Sequence, residues 1–298
     1  MGAEVRGLCA GAQSGLTLVA PFVKARTLAE LLEPVGAGVA VELVTRWRPI
    51  EIANGVSDVE AFDVVHQRGG TTRILDRLHA KVFVRDDGTG LIGSANITDK
   101  AFGWNAAANL EVLTQVNGDA PEVQSMLAVI DRESVVADLS LKEEMERAAL
   151  AVRETSHGRN PQPDVSSAGL SDWLPESRHP ADLFTVYVDP RAASSAAVTS
   201  ALRDLTKLQV PAGLDQAAFE SYIRARLLVS PLHGRLKAYL SDFRRFSEVR
   251  RWLQDQYGLD RESSERTWQT LQRWLFTFLP QAYEARRVDY SEQVKYRG

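Results

Sequence analysis

Apolar and polar positions follow two different rhythms along this chain. In the first half, short apolar runs are separated by stretches of helical period, which is the pattern of a sheet covered by helices. Residues 16–22 (Leu-Thr-Leu-Val-Ala-Pro-Phe) predict a buried strand that Pro21 ends. Residues 27–32 predict a helix with Thr27 as its cap, and residues 39–47 a second buried strand. Ser57 is placed to cap a helix running to His66, which stops at Gly69-Gly70. Residues 73–85 read as a third strand region, Asp86-Asp87-Gly88 as a turn, and residues 90–92 as the start of a fourth strand. A short helix near 99–102 precedes a fifth alternating strand over 109–116, and residues 121–152 read as helix in two pieces around Leu139-Ser140.

From 154 to 180 the composition turns to Ser, Pro, Gly and Asn, with Asn160-Pro161-Gln162-Pro163 at its centre, which predicts a linker. Beyond a short strand expected at 184–188, helical period dominates: 194–208, 215–228, 242–257 and 262–283. In the last of these, Trp268, Leu271, Leu275 and Phe278 recur at steps of three, four and three, an apolar stripe on one helix face. The expected organisation is therefore a sheet-containing domain over 1–153, a linker over 154–180 and a mainly helical domain over 181–298. No internal repeat is visible.

Composition sharpens this reading at few points. The 298 residues are 44% hydrophobic and 25% charged, enough to bury a core. No apolar run is long enough for a membrane span, and Glu4, Gln13 and Ser14 spoil a signal-peptide reading of the start, so a cytoplasmic protein without membrane contact is expected. Cys9 alone can build neither an intramolecular disulfide nor a zinc site. The formal charge of -4 conceals an acidic excess in residues 1–150 and a basic excess in 151–298.

The chemistry concentrates between His79 and Asn96. Strand periodicity over this region predicts Arg77, His79 and Lys81 on one face, with Leu78, Ala80 and Val82 in the core. Such a row of cations is expensive in a half-buried strand unless it meets an anion, and phosphate is the natural one. The next strand ends in Gly93-Ser94-Ala95-Asn96 ahead of a short helix, so hydroxyl, amide and helix N-terminus can donate to phosphate oxygens. The site offers an imidazole and fixed donors, and no cluster of carboxylates or cysteines to hold a metal.

With those residues in place the resemblance is specific. The spacing His79-x-Lys81-x4-Asp86-x6-Gly93-Ser94-x-Asn96 resembles the signature of the phospholipase D superfamily, and Asn109-Leu110-Glu111 resembles the Asn-x-Glu that often follows it. The surrounding residues are similar to the restriction-endonuclease-like and nuclease branch, over roughly 10–120. The resemblance implies an α/β fold, an αβα sandwich with a mixed central sheet, in front of the helical C-terminal domain. It implies a cofactor-free, metal-independent phosphodiester transfer through a covalent phosphohistidine on His79. Lys81, Ser94 and Asn96 would stabilise the transition state, and Glu111 would orient a histidine. Asp86, Gly93 and Asn109 would be structural members of the motif.

Two histidines are needed and one complete motif is present. His66, His157, His179 and His233 lack its continuation. The expectation is therefore a homodimer through the catalytic domain, each chain lending a His79, and a monomer is excluded. Arg46, Arg48 and Arg77 are candidate phosphate contacts. The implied function is nucleic-acid cleavage, of DNA or RNA, in prokaryotic restriction or antiviral defence, with a helicase or translocase as an expected partner. Two alternatives stand beside it: a phospholipase D or phosphatidyltransferase acting on lipid, and a catalytically silent nucleic-acid-binding scaffold. In the C-terminal half, Arg244-Arg245-Phe246 and Arg250-Arg251-Trp252 interleave cations and rings, either as nucleic-acid contacts or as core rings beside solvated arginines.

Overall fold

Leu, Val and Thr alternate where the first strands form, and burial follows the alternation. The computed structural model describes residues 1–155, 169–192, 195–288 and 291–297, so the centre of the expected linker, 156–168, and the expected helix start at Ser194 lie outside the described residues. The chain divides into two compact units, Met1–Gly169 and Leu170–Gly298. The first runs α1 (Gly2–Ala10), β1 (Gly15–Val19), α2 (Ala25–Leu32), β2 (Ala40–Thr45), α3 (Pro49–Ala53), α4 (Ala61–His66) and β3 (Thr71–Ile74). It continues through β4 (Val82–Arg85), β5 (Thr89–Gly93), α5 (Asp99–Phe102), β6 (Leu113–Asn117), α6 (Pro121–Glu133), β7 (Val135–Val136) and α7 (Leu139–Thr155).

Seven strands form one mixed sheet in the order β6-β5-β4-β1-β2-β3-β7. Strands β1, β2 and β3 are parallel, and β4, β5 and β6 continue the sheet antiparallel from β1. On one face Leu16, Leu18, Val41, Leu43 and Phe83 pack with α1, α2, α4 and α5 through Val5, Leu8, Leu28, Leu31, Val65 and Phe102. On the other, Val19, Val44 and Val82 pack with Leu75, Leu78 and Ile130 of α6. Each fully buried Leu or Val contributes about 1.5–3 kcal/mol. The first unit is thus an α/β sandwich of the αβα type. Cys9 is buried in it, which pushes its thiol up to about 12.

Several boundaries differ from the sequence reading, each because a long-range partner intervenes. Residues 73–85 are not one strand: β3 ends at Ile74 and β4 begins at Val82, because β3 and β4 are separated in the sheet by β2 and β1. Residues 75–81 must cross three inter-strand spacings, about 14 Å, before the chain can reverse. Thr27 does not cap α2, which starts at Ala25. Asp58 accepts from the Ala25 amide instead, at 3.0 Å, while Thr27 is buried and donates to Asp99. Ser57 does not cap α4; its hydroxyl pairs with the backbone of Val23.

The second unit contains α8 (Leu183–Val188), α9 (Ser195–Leu208), α10 (Gln216–Leu228), α11 (Pro231–Tyr239), β8 (Arg244–Arg245), α12 (Phe246–Tyr257), α13 (Arg261–Phe278), β9 (Tyr283–Val288) and β10 (Ser291–Tyr296). It is mainly helical. The stripe Trp268, Leu271, Leu275 and Phe278 is buried along α13, and Trp274 meets Trp173 edge-on at 5.4 Å. Residues 170–180 belong to this unit: Asp204 of α9 accepts from the Trp173 indole and the Glu176 and Ser177 amides. The strand expected at 184–188 is helix α8, because Leu183 and Val186 bury one face at a step of three, and a short apolar run does not separate the two cases by pattern. The helix expected to reach Tyr283 stops at Phe278, near Pro280, and β8, β10 and β9 form a small antiparallel sheet.

Candidate active site

The sheet topology alone brings the motif residues to one edge. The C-terminal ends of β1, β2 and β3 lie where β4 begins, β5 ends and β6 begins, because the first three strands run opposite to β4. At that edge sit Arg46 after β2, residues 75–81 after β3, Ser94 and Asn96 after β5, and Asn109 and Glu111 before β6. Open α/β sheets bind ligands beyond the carboxyl ends of their parallel strands for the same topological reason.

His79 lies on the crossing segment rather than on a strand, so alternation does not set its direction. The segment is held from beneath. Arg46 donates to the Leu78 carbonyl at 3.1 Å and grips Glu51 through two bonds of 3.0 and 2.5 Å, with its guanidinium over the Phe22 ring. Arg48 donates to the Asp76 carbonyl at 3.0 Å and to its carboxylate at 3.2 Å. All four charged side chains are buried. The structure therefore gives Arg46 and Arg48 partners other than the phosphate expected of them: they pin the backbone on either side of Arg77. Arg77 is paired with Glu133, at 2.7 Å, and lies with His79 on the crossing segment, where there is no strand face for the two to share.

The His79 imidazole is exposed and makes no hydrogen bond among the described residues. The charge of Lys81 holds its pKa below the ordinary histidine value, aided by partial burial and by Arg46. A neutral ring is thus favoured near pH 7, the form that carries a free lone pair. Lys81 is buried and donates to the His79 carbonyl at 2.8 Å. Burial and Arg46 lower its own pKa, while Glu111 pulls the other way, which sets Glu111 within electrostatic reach of Lys81.

On the opposite strand ends, the motif glycine has a steric cause. A Cβ on Gly93 would lie 1.9 Å from the Val112 carbonyl oxygen. Only this approach lets the Ser94 amide donate to Val112 O and the Val112 amide donate to Ser94 Oγ, both at 3.0 Å. Ser94 Oγ in turn donates to Glu111, whose other oxygen accepts from Asn109 at 3.0 Å. Glu111 is thus turned to Ser94 and Asn109 within its own chain. Asn96 carries a buried Oδ1 with no hydrogen-bond partner among the described residues. Gly93→Ala is expected to force β5 and β6 apart and to cost about 1–3 kcal/mol, read as a lower denaturation midpoint; unchanged stability would refute this account of the glycine.

Asp86 lies at the far end of the β4–β5 hairpin. It accepts from the Gln13 and Ser14 amides at 3.0 and 3.1 Å and from the Ser14 hydroxyl, and it has no reach to His79. Those bonds hold its carboxyl below the usual range, the Gln13 amide foremost. It ties the hairpin to the start of β1. Asp87 instead bonds Arg85 and the Thr89 amide.

Sequence reasoning missed Glu51 and Asp76, the carboxylates that anchor the two arginines. The only signal was one acid within five residues of Arg46, and nothing local tied Asp76 to Arg48. It also missed an apolar rim: Leu110 is 102% exposed, Val112 65% and Ile92 38%, beside Glu111 and Ser94. Among the described residues no three His, Cys, Asp or Glu side chains converge as a metal site, and no helix is long and apolar enough to cross a membrane.

Residues 7–132, wholly inside the first unit, match the family model described as cardiolipin synthase, PLD-like domain. Among solved structures the chain is similar to NucT from Helicobacter pylori, with 16% identity and a TM-score of 0.35, over 44% of this chain and 84% of that one. It is also similar to Nuc from Salmonella typhimurium, a phospholipase D family member, with 20% identity and a TM-score of 0.34, over 43% of this chain and 83% of that one. No curated protein matches.

Proposed function

From the premise that residues 7–132 form a domain of the phospholipase D superfamily, we propose that the protein is a phosphodiesterase whose substrate is nucleic acid and whose working form is a homodimer. The observation that carries this reading is the convergence of exposed His79, buried Lys81, Ser94, Asn96 and Glu111 at one sheet edge. In the first step the neutral His79 ring attacks phosphorus. A nitrogen–phosphorus bond forms, the ester phosphorus–oxygen bond breaks, and the partner subunit's His79 gives its proton to the leaving oxygen. Water then attacks the phosphohistidine, losing a proton to the partner's His79, and the nitrogen–phosphorus bond breaks. Lys81 and the Asn96 side-chain N–H would meet the phosphoryl oxygens as charge builds on them, and Glu111 accepts from the Ser94 hydroxyl.

Pairing of two chains is supported by the rim of Leu110, Val112 and Ile92. Large apolar side chains left to solvent next to a site are a surface that a second copy can cover. A C2 pair through this rim would bring two copies of His79 together. Nucleic acid is preferred to lipid because the exposed apolar residues at the site are few and form no amphipathic membrane-facing helix. A role in prokaryotic restriction or defence, with a helicase or translocase partner, belongs to the same reading.

The family description names a cardiolipin synthase, so a phospholipid substrate is the second reading and the assay must include it. Incubation with duplex DNA, single-stranded DNA, RNA and phosphatidylglycerol vesicles, all in EDTA, separates the two. Cleavage of one nucleic acid that persists in chelator is expected, because two histidines supply nucleophile and acid without a divalent ion. Activity lost in EDTA and restored by magnesium refutes the mechanism. Headgroup release or transfer with intact nucleic acid refutes the substrate.

A further inference from the structure

The small sheet of the second unit carries a row of cations with no carboxylate within ion-pair distance among the described residues. Arg245, Gln293 and Arg286 are direct cross-strand partners over β8, β10 and β9, so their side chains share one face. Lys295, two residues along β10, stands on the same face. Among the described residues none of Arg245, Arg286 and Lys295 has a carboxylate within ion-pair distance. Glu284, the strand partner of Lys295, turns to Arg297 at 3.6 Å.

The arrangement is also held in place. Arg286 lies over the Phe243 ring at 3.6 Å, Lys295 approaches the same ring at 5.8 Å, and Arg286 Nε donates to Gln293 Oε1 at 3.0 Å. One ring and one amide therefore fix the guanidinium and leave both of its terminal nitrogens without a hydrogen bond among the described residues. Folding that gathers like charges on one sheet face costs stability. Stacking on an aromatic ring offsets part of that cost and removes the rotamer freedom an arginine would lose on binding. A polyanion regains the rest, since each phosphate contact releases counterions. On the opposite face of the sheet, Arg244, the strand partner of Val294, lies over Tyr239 at 5.0 Å, and Tyr239 is stacked on Trp252.

We propose that the Phe243, Arg245, Arg286 and Lys295 face is a docking surface for the sugar-phosphate backbone of a nucleic acid. It is independent of base sequence, and it rests on the nuclease reading above. Contact through the fixed Arg286 guanidinium, Arg245 and a lysine reads phosphate rather than base edges.

The test uses the full chain, with a fluorescent 30-nucleotide single strand and the matching duplex as probes, at several salt concentrations. The variant Arg245→Gln, Arg286→Gln, Lys295→Gln is compared with a charge-matched control, Arg191→Gln, Arg203→Gln, Arg261→Gln, at exposed ion-paired positions. Thermal melting checks that both variants fold. The sheet variant is expected to lose at least about tenfold in affinity at 0.1 M salt, with a plot of log K against log salt shallower by about 2–3; the control should bind like wild type. A wild type that cleaves and binds, with the sheet variant binding equally well, overturns the surface and leaves the nuclease reading standing. Equal losses in both variants overturn it as a net-charge effect. A wild type that neither binds nor cleaves any nucleic acid overturns both.

Discussion

His79→Ala is expected to lower phosphodiester cleavage by about 10⁴-fold or more while leaving dimerisation and nucleic-acid affinity close to wild type. The ring is exposed and bonds nothing among the described residues, so its loss removes chemistry and no packing. The size of the loss reflects two roles removed together, since each subunit's His79 would serve as nucleophile in one half of the site and as acid in the other. Mixing makes this quantitative. If wild type and variant exchange subunits at equal amounts, activity should fall to about one quarter, because only pairs with two histidines work. A fall to about one half would mean that each chain acts alone, and retained cutting by pure variant would move the nucleophile elsewhere.

Lys81→Met should have the next largest effect, about 10²- to 10³-fold in kcat. In the proposed mechanism the buried ammonium meets charge developing on phosphoryl oxygens, and in the structure it is the leading reason that the His79 pKa lies below its ordinary value. Removing a positive neighbour favours the protonated imidazole, so the His79 pKa must rise in the variant. The nucleophile must be neutral, so the acid limb of the kcat/KM profile should move to higher pH as the rate falls. In the proposed dimer the two imidazoles would titrate together and the profile would report the pair, whereas NMR of the His79 ring protons in the free chain follows the shift directly. An acid limb that stays in place, or moves down, would remove Lys81 from its assigned electrostatic role.

Both experiments depend on a scaffold that short-range pattern did not reveal. Buried arginines are costly unless paired, and removing one partner of such a pair typically costs about 3–5 kcal/mol. Arg46 and Arg48 escape that cost through Glu51 and Asp76, and they use their remaining donors on the Leu78 and Asp76 carbonyls. In the sequence they stand beside Trp47 like surface cations waiting for phosphate. Their partners are as far as 32 residues away in the chain, and periodicity carries no information at that range. The orientation of Glu111 toward Ser94 was hidden for the same reason, because it depends on the register of β5 against β6.

The elements that local pattern placed well are those whose burial is one-sided and continuous. The strands near 16–22 and 39–47 and the α13 stripe from Trp268 to Phe278 bury the residues their periodicity marks. The helix at 183–188 and the small sheet at 283–296 escaped because short runs of mixed residues fit either period. Tertiary neighbours then chose between them.

By itself the sequence determined the chemical inventory, His79, Lys81, Gly93, Ser94 and Asn96 at fixed spacing, because covalent order sets which groups a hairpin can offer. It determined also that one chain holds a single such set. Only the tertiary structure decided how those groups are aimed. The strand order obliges residues 75–81 to cross the sheet edge instead of continuing as a strand, and the buried arginines hold that crossing in place. Which side chains face each other is fixed by contacts between distant segments, and those form only when the whole sheet does.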